Sequence, residues 1–311
     1  MFDKDFPGAG KSVGILGVPL GFAAGTIGSE LGTQSIRQQK LKARIETLGY
    51  AVRDYGDLDL KHPERHAEPG ENPRFLREMV AASDLICPAV SSIFKEQDLP
   101  LILGGDHSIA MATLSAVAAH FHRQNQEIGL VWIDAHADIN TPETSPSGNL
   151  HGMPLAVLFG RGAPELTNLC GYAPKFNPKF CAHVGARDLD LGEKRMIREI
   201  GLRAFTMNEV DRRGMNAVMD DALAIANQAP DGFAVTFDVD SLDPLDAPGS
   251  GTLVRGGLSY REAHLALEKI AETNRMRSFE IVEVNPLLDT GNRTSELAVE
   301  LILSALGKTI L

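Results

Sequence analysis

Asp134, His136 and Asp138 occupy alternate positions behind an apolar run, in LVWIDAHADIN at 130–140. On an extended chain, side chains at i, i+2 and i+4 share a face, so these two carboxylates and one imidazole project together. Ala135 and Ala137 between them are small and turned the other way. Carboxylates this close repel one another, and burying them is costly unless a cation neutralises them. A solvated acidic loop is the bland alternative, but a run this apolar begins inside the protein. The pattern returns in GFAVTFDVDSLDP at 232–244, where Asp238 and Asp240 close an apolar run and Asp243 follows. In LPLILGGDHSIAMA at 99–112, a Gly-Gly turn delivers Asp106, His107 and Ser108 to the start of a helix. Alone, His107 reads as a capping or packing residue; beside two acidic strand ends it reads as a ligand.

The set is thus His107, Asp134, His136, Asp138, Asp238 and Asp240. Four carboxylates balance two divalent cations, and an oxygen-rich set without thiolates favours Mn²⁺ over a lone zinc. Two such ions about 3.5–4 Å apart can bridge a water and lower its pKa toward neutrality, supplying hydroxide for a hydrolysis. The expected cofactor is two Mn²⁺ per subunit.

Residues placed this way need strands that end at one edge. Apolar runs at 12–18, 51–56, 99–105, 127–134, 180–186, 203–206, 232–240 and 278–284 read as strands. Helical patterns lie between them, near 32–48, 73–97, 108–122, 192–200, 208–227, 259–273 and 293–307. In the sixth of these, Ser259 and Glu262 have capping-box spacing. Such alternation builds an α/β domain of three layers, a mostly parallel sheet of eight strands with helices on both faces. A closed barrel has the same strand count; the long glycine-rich stretch after the first strand favours an open sheet. No linker or repeat divides residues 1–311, so one domain is expected. In open sheets of this kind ligands bind beyond the carboxyl ends of the strands.

The bulk numbers remove other classes. A formal charge of −11 without a basic stripe speaks against nucleic acid or an anionic membrane as partner. The start of the chain, MFDKDFPGAGKS, shows no basic segment followed by an apolar run, and no window approaches the ~18 apolar residues of a membrane span. Three irregularly spaced cysteines suggest a reducing compartment, and the expected location is cytoplasmic. GAGKS at 8–12 imitates a phosphate loop, but the required upstream glycine is Asp5 and no strand precedes it.

GGDHS, DAHADIN and FDVDSLDP resemble the signature motifs of the ureohydrolases, the arginase and agmatinase family, and the likeness runs on to EVNPLLD and the helix after it. The resemblance implies an open eight-stranded parallel sheet, a binuclear manganese centre ligated by the six residues above, and hydrolysis of a guanidino group to urea. The substrate-reading loop NTPETSPSGNLHGMP at 140–154 is similar to that of the arginase branch. The likeness implies that Asn140 and Ser147 hold the α-carboxylate of L-arginine, while Thr141 and Pro142 simply turn the chain. It further implies that His151 shuttles protons, that Asp190 and Glu193 in VGARDLDLGEKR meet the α-ammonium, and that Thr252 lines the site. Glu283, a buried carboxylate in SFEIVEVNP, is implied to orient the guanidinium, its best partner. Asp138 would pass a proton to the departing amine. Leu253 and Arg255 depart from the family pattern around Thr252, and residues 21–30 lack a proline common in that segment. His120, His122, His183 and His264 match no functional position and read as surface or packing residues. Another guanidino substrate, agmatine or a guanidino acid, is the alternative. A homo-oligomer, trimer or hexamer, is implied too; Arg261 matches a position of inter-subunit ion pairs, and a plain exposed arginine reads equally well.

Overall fold

A computed structural model describes residues 7–309; Asp5 and the rest of the first six residues, on which part of the N-terminal reading rests, lie outside the described residues. Eight strands form one sheet: β1 (Ser12–Val18), β2 (Ala51–Asp57), β3 (Leu99–Gly104), β4 (Gly129–Ile133), β5 (Cys181–Ala186), β6 (Arg203–Thr206), β7 (Phe233–Asp238) and β8 (Met276–Val282). Every pairing is parallel, in the order β2-β1-β3-β8-β7-β4-β5-β6. The sheet is open, as expected, and the predicted strand positions hold to within two residues at each end.

The helices are α1 (Gly32–Gln38), α2 (Leu41–Glu46), α3 (Leu76–Lys95), α4 (Ala110–His122), α5 (Pro154–Leu158), α6 (Pro164–Thr167), α7 (Leu191–Ile200), α8 (Met207–Ala226), α9 (Tyr260–Glu272) and α10 (Arg293–Ala305). The single helix expected over 32–48 is broken at Lys40, whose backbone is left-handed at φ 60°. α9 begins with the expected capping box: Ser259 Oγ accepts from Glu262 N, and Glu262 Oε2 accepts from Ser259 N at 2.9 Å. GAGKS forms a turn running into β1, so it lacks the strand-to-helix setting of a phosphate loop.

Alternate residues of each strand feed two cores. Val13, Ile15, Leu101, Leu103, Val131 and Ile133 pack with α1, α2, α8, α9 and α10. Leu16, Val18, Ile102, Leu130 and Trp132 pack with α3, α4 and α5. This two-sided burial leaves every residue of β4, β5 and β7 buried, and most of them apolar. The four middle strands, β3, β8, β7 and β4, are neighbours and parallel, so their carboxyl ends open at one place. Those ends lead into His107, Glu283, Asp238 and Asp134. Among the described residues no helix is long and apolar enough to cross a membrane.

Candidate metal centre and substrate cleft

The turn after β3 is tight. A Cβ on Gly105 would stand 1.8 Å from the carbonyl oxygen of Leu20, so only glycine allows that approach. Asp106 then caps the turn, accepting from Ser108 N at 3.1 Å and from Ala23 N at 2.9 Å. This leaves His107 turned toward the ends of β4 and β7. Its Nδ1 lies 3.2 Å from Asp134, 3.1 Å from Asp138 and 3.1 Å from Asp238. His136 Nδ1 lies 3.0 Å from Asp240 and 3.6 Å from Asp134. Two sets of donor atoms result, His107/Asp134/Asp238 and Asp134/His136/Asp240, each gathered within 4.8 Å, and Asp134 belongs to both. All six residues expected as ligands are brought together. Asp138 joins through His107, from a left-handed backbone at φ 51°.

An imidazole Nδ1 carries at most one proton, yet that of His107 faces three carboxylate oxygens. Three oxygens and a nitrogen converging on one point suit a cation better than a hydrogen bond. The charges agree. Burial and neighbouring carboxylates push Asp238 well above the usual carboxylate range, raise Asp240, and lift Asp138 to about 6. Asp134 goes the other way: burial opposes its charge, but the imidazoles of His107 and His136 outweigh it and hold it well below the usual range. Both imidazoles are raised by the carboxylates despite burial. Added positive charge among these groups is what the donor set accepts, and hard oxygens with imidazole suit Mn²⁺.

A second layer fixes these side chains. Trp132, two residues before Asp134 on the same face of β4, donates from Nε1 to its Oδ2 at 2.9 Å and stacks on the His107 ring at 4.3 Å. His107 Nε2 meets Thr236 Oγ1 at 2.9 Å. Thr113 donates to the buried Glu280 at 2.6 Å, and burial raises the Glu280 pKa. Thr252 donates to Asp240 Oδ2 at 2.8 Å, which places it in the site despite its unusual neighbours. Arg187 threads its guanidinium between the carbonyls of Asp240 at 2.7 Å, Ser241 at 3.0 Å and Val254 at 2.7 Å. His183 holds the His136 carbonyl at 2.5 Å, so this packing histidine supports the loop that carries His136. Sequence reasoning missed Trp132, Thr236, Glu280 and Arg187 as supports. The signal for Thr236 was a polar residue two positions before Asp238 inside an apolar strand.

Beside the centre the 140–151 loop meets the start of α7. Asn140 donates from Nδ2 to Asp190 Oδ2 at 2.7 Å and accepts from Thr144 Oγ1 at 2.7 Å. Asp190 and Glu193 form the α7 capping box, at 2.9 and 3.0 Å. Glu193 also accepts from Ala137 N at 3.2 Å, so its oxygens are engaged by backbone, and burial lifts its pKa to about 7. Thr141 turns the chain, as expected. Ser147 is exposed on the rim, its Oγ accepting from Asn149 N at 3.2 Å. Arg74, from the excursion before α3, braces this rim by donating to Asn149 Oδ1 at 3.0 Å. Glu283 Oε1 accepts from His107 N at 2.9 Å and lies 3.1 Å from His151 Nδ1. Its backbone is left-handed at φ 65°, a strained conformation of the kind that collects at functional sites. Burial opposes the His151 charge, but Glu283 outweighs it and raises the pKa to about 9. The 21–30 segment also reaches the site, Ala23 O accepting from His151 N at 3.3 Å. Arg261 pairs with Glu268 on its own helix at 3.1 Å.

An α/β sheet with acids and imidazoles gathered at its central strand ends is the architecture of metal-dependent hydrolases of the ureohydrolase type. The Arginase family model matches residues 11–307. The arginase of Bacillus caldovelox is 45% identical over 302 residues, covering 97% of this chain and 100% of that protein. The crystal structure of Bacillus subtilis arginase superposes with a TM-score of 0.89 at 43% identity, over 97% of this chain and 100% of that one. Entamoeba histolytica arginase, solved in complex with L-ornithine, matches with a TM-score of 0.86 at 30% identity, over 96% and 99% of the two chains. The chain belongs to the arginase family. It is an enzyme, a hydrolase acting on the guanidino group.

Proposed function

We propose that this enzyme hydrolyses L-arginine to L-ornithine and urea with two Mn²⁺ held by His107, Asp134, His136, Asp138, Asp238 and Asp240. The observation that carries this reading is the shared carboxylate of Asp134 between two donor sets, beside the Asn140–Asp190 pair. When bound, the metal pair supplies a water of lowered pKa and Lewis acidity at the guanidinium.

The chain's own residues do the rest. Asn140 and Ser147 offer hydrogen bonds to the α-carboxylate, and Asp190, with Glu193 behind it, meets the α-ammonium. Thr252 lines the wall. Glu283 presents a carboxylate to the guanidinium fork, a charge-assisted pairing that fixes its plane. Asp138 hands a proton to the departing amine of ornithine, and the C–N bond breaks as the water's oxygen becomes the oxygen of urea. His151, next to Glu283, carries protons between the site and solvent. Assembly as a trimer or hexamer and a cytoplasmic location belong to the same reading.

Urea release from L-arginine and from agmatine, each with and without added Mn²⁺ after chelation, tests it. Manganese-dependent release from arginine, with agmatine much slower, is expected, because agmatine has no carboxylate for Asn140 and Ser147. Preferential release from agmatine or a guanidino acid would overturn the substrate, and metal-independent release would overturn the centre.

A further inference from the structure

Between β2 and α3 the chain leaves the sheet for residues 58–75. β2 runs parallel to its neighbour β1, so this excursion starts from the same edge as the metal centre. Its own contacts close it into a strap. The Arg65 guanidinium donates to both carboxylate oxygens of Glu71, at 2.8 and 2.9 Å, and to Glu78 on α3 at 2.9 Å. The same Glu71 oxygens accept from Glu68 N at 2.9 Å and Phe75 N at 2.8 Å. A bidentate pair with further partners is the geometry in which exposed ion pairs hold a shape. Arg65 also lies 5.0 Å from the centroid of the Phe75 ring, and that ring stands edge-on to Phe22, 5.7 Å away.

The far end of the strap grips the 140–151 loop at three points. Asn72 donates from Nδ2 to the carbonyl of Pro142. Arg74 donates from its backbone N to the carbonyl of Gly148 at 2.8 Å and from Nη1 to Asn149 Oδ1 at 3.0 Å. Gly148 has φ 72°, and a Cβ there would come within 3.3 Å of Asn72 Oδ1, so glycine permits the close approach. Asn149 N in turn donates to Ser147 Oγ at 3.2 Å, so the series of contacts that begins at Arg74 ends on the Ser147 hydroxyl. Packing contributes little on this side. Residues 142–147 are exposed or half-buried, and a cavity of about 580 Å³, lined by Glu68, Glu71, Ser145, Pro146 and Ser147 among others, lies between them and the strap. A loop with few buried apolar contacts opens easily unless polar contacts hold it.

We propose that Arg74 is a positioning residue for substrate recognition: with Asn72 it holds the 142–149 loop so that Ser147 meets the α-carboxylate, and so sets the preference for an α-amino acid over the decarboxylated amine. The inference rests on the carboxylate role proposed for Ser147. Without the Arg74 side chain the backbone bond to Gly148 remains, but the Asn149 amide is free to turn, and the loop must be ordered at the moment of binding. That cost falls on binding rather than turnover. His151, two residues further on, is anchored independently, by Ala23 O at its backbone N and by Glu283 at its ring.

Arg74→Met in the full-length, metal-loaded protein tests this through urea release from L-arginine and from agmatine. KM for arginine should rise about tenfold, the scale of a lost charge-assisted hydrogen bond, with kcat and agmatine hydrolysis little changed. Arg74→Lys, which keeps a donor, should recover part of the loss. In an Asn149→Ala background Arg74→Met should cost little more, since both changes break the same contact. Additive losses in that pair, an unaltered KM in Arg74→Met, or equal losses on arginine and agmatine would each overturn the proposal. Should Arg74→Met fold poorly, Asn72→Ala, which frees the loop at Pro142, decides by the same comparison of KM with kcat. A preference of the unsubstituted protein for agmatine would remove the substrate reading and this inference with it, a result seen before any variant is made.

Discussion

Asn140 and Asp190, drawn from different strand ends and expected to grip opposite charges of the substrate, hydrogen-bond each other at 2.7 Å. The two α-substituents of an amino acid sit on one carbon, so a carboxylate reader and an ammonium reader must be neighbours. Asn140→Ala should therefore raise KM for arginine by about 10–100-fold, the loss of a hydrogen bond to a charged group worth about 1.5–3 kcal/mol. The effect on kcat should be smaller, and agmatine hydrolysis should change little. Steady-state kinetics with both substrates checks this; equal losses on both would remove the carboxylate role.

Metal should be part of the fold's stability. A ligand that binds only the native state at a hundredfold excess over Kd adds about 2.7 kcal/mol. Chelation should lower Tm and added Mn²⁺ restore it, while Asp238→Asn should show little response to the metal. Calorimetry on both proteins decides; an unaltered Tm response in the variant would remove Asp238 from the ligand set.

Thr236 fixes the far nitrogen of His107 at 2.9 Å. Partners of this kind set ligand orientation, and their loss commonly costs about 10–100-fold in metal affinity. Thr236→Val should weaken Mn²⁺ binding within that range, measured by competition with a chelating dye, with Thr236→Ser recovering most of it. A Val variant of undiminished affinity would show that the hydroxyl only packs.

His151 should matter to turnover more than to binding. His151→Asn should lower kcat by about a hundredfold, with free imidazole restoring part of it. Full kcat from pH 7 to 10 in the variant would remove the shuttle.

The pH dependence of stability can be followed at His264, remote from the metal centre. It is buried beneath Tyr260, its Nδ1 2.8 Å from Ser304 Oγ, and burial lowers its pKa. Glu300 and Glu268 favour its charge, and Arg261 and Lys308 oppose it. Because the folded pKa lies below the unfolded value of about 6.5, the unfolded chain binds the proton first. The contribution is complete above that pH and lost as pH falls below it. Tm of His264→Gln should therefore fall less steeply between pH 7 and 5 than that of the unsubstituted protein. Parallel slopes would refute the assignment.

The convergence of His107, Asp134, His136, Asp138, Asp238 and Asp240 was legible because parallel strands end in loops, and alternation along a strand puts i and i+2 on one face. His107 became readable only beside Asp134 and Asp238, since a lone imidazole at a helix start has commoner uses. Thr236 and Trp132 were hidden inside runs that looked uniformly apolar. Arg187 acts across the cleft on backbone carbonyls, which leave no trace in residue type. The break at Lys40 has no glycine or proline to announce it, only a left-handed backbone at φ 60°. Asp190 and Glu193 were ambiguous because acids at a helix start also cap it, and the structure shows them as the α7 capping box.

β8 is the last strand in chain order, yet it stands between β3 and β7 in the middle of the sheet. During synthesis, β3 and β7 therefore leave a gap that only Met276–Val282 can fill, and Glu283 arrives with that final insertion. A nascent chain lacking this strand keeps His107, on the half built from β2, β1 and β3, apart from Asp134, Asp138, Asp238 and Asp240 on the half built from β7, β4, β5 and β6, so the donor set closes only when the last strand has docked.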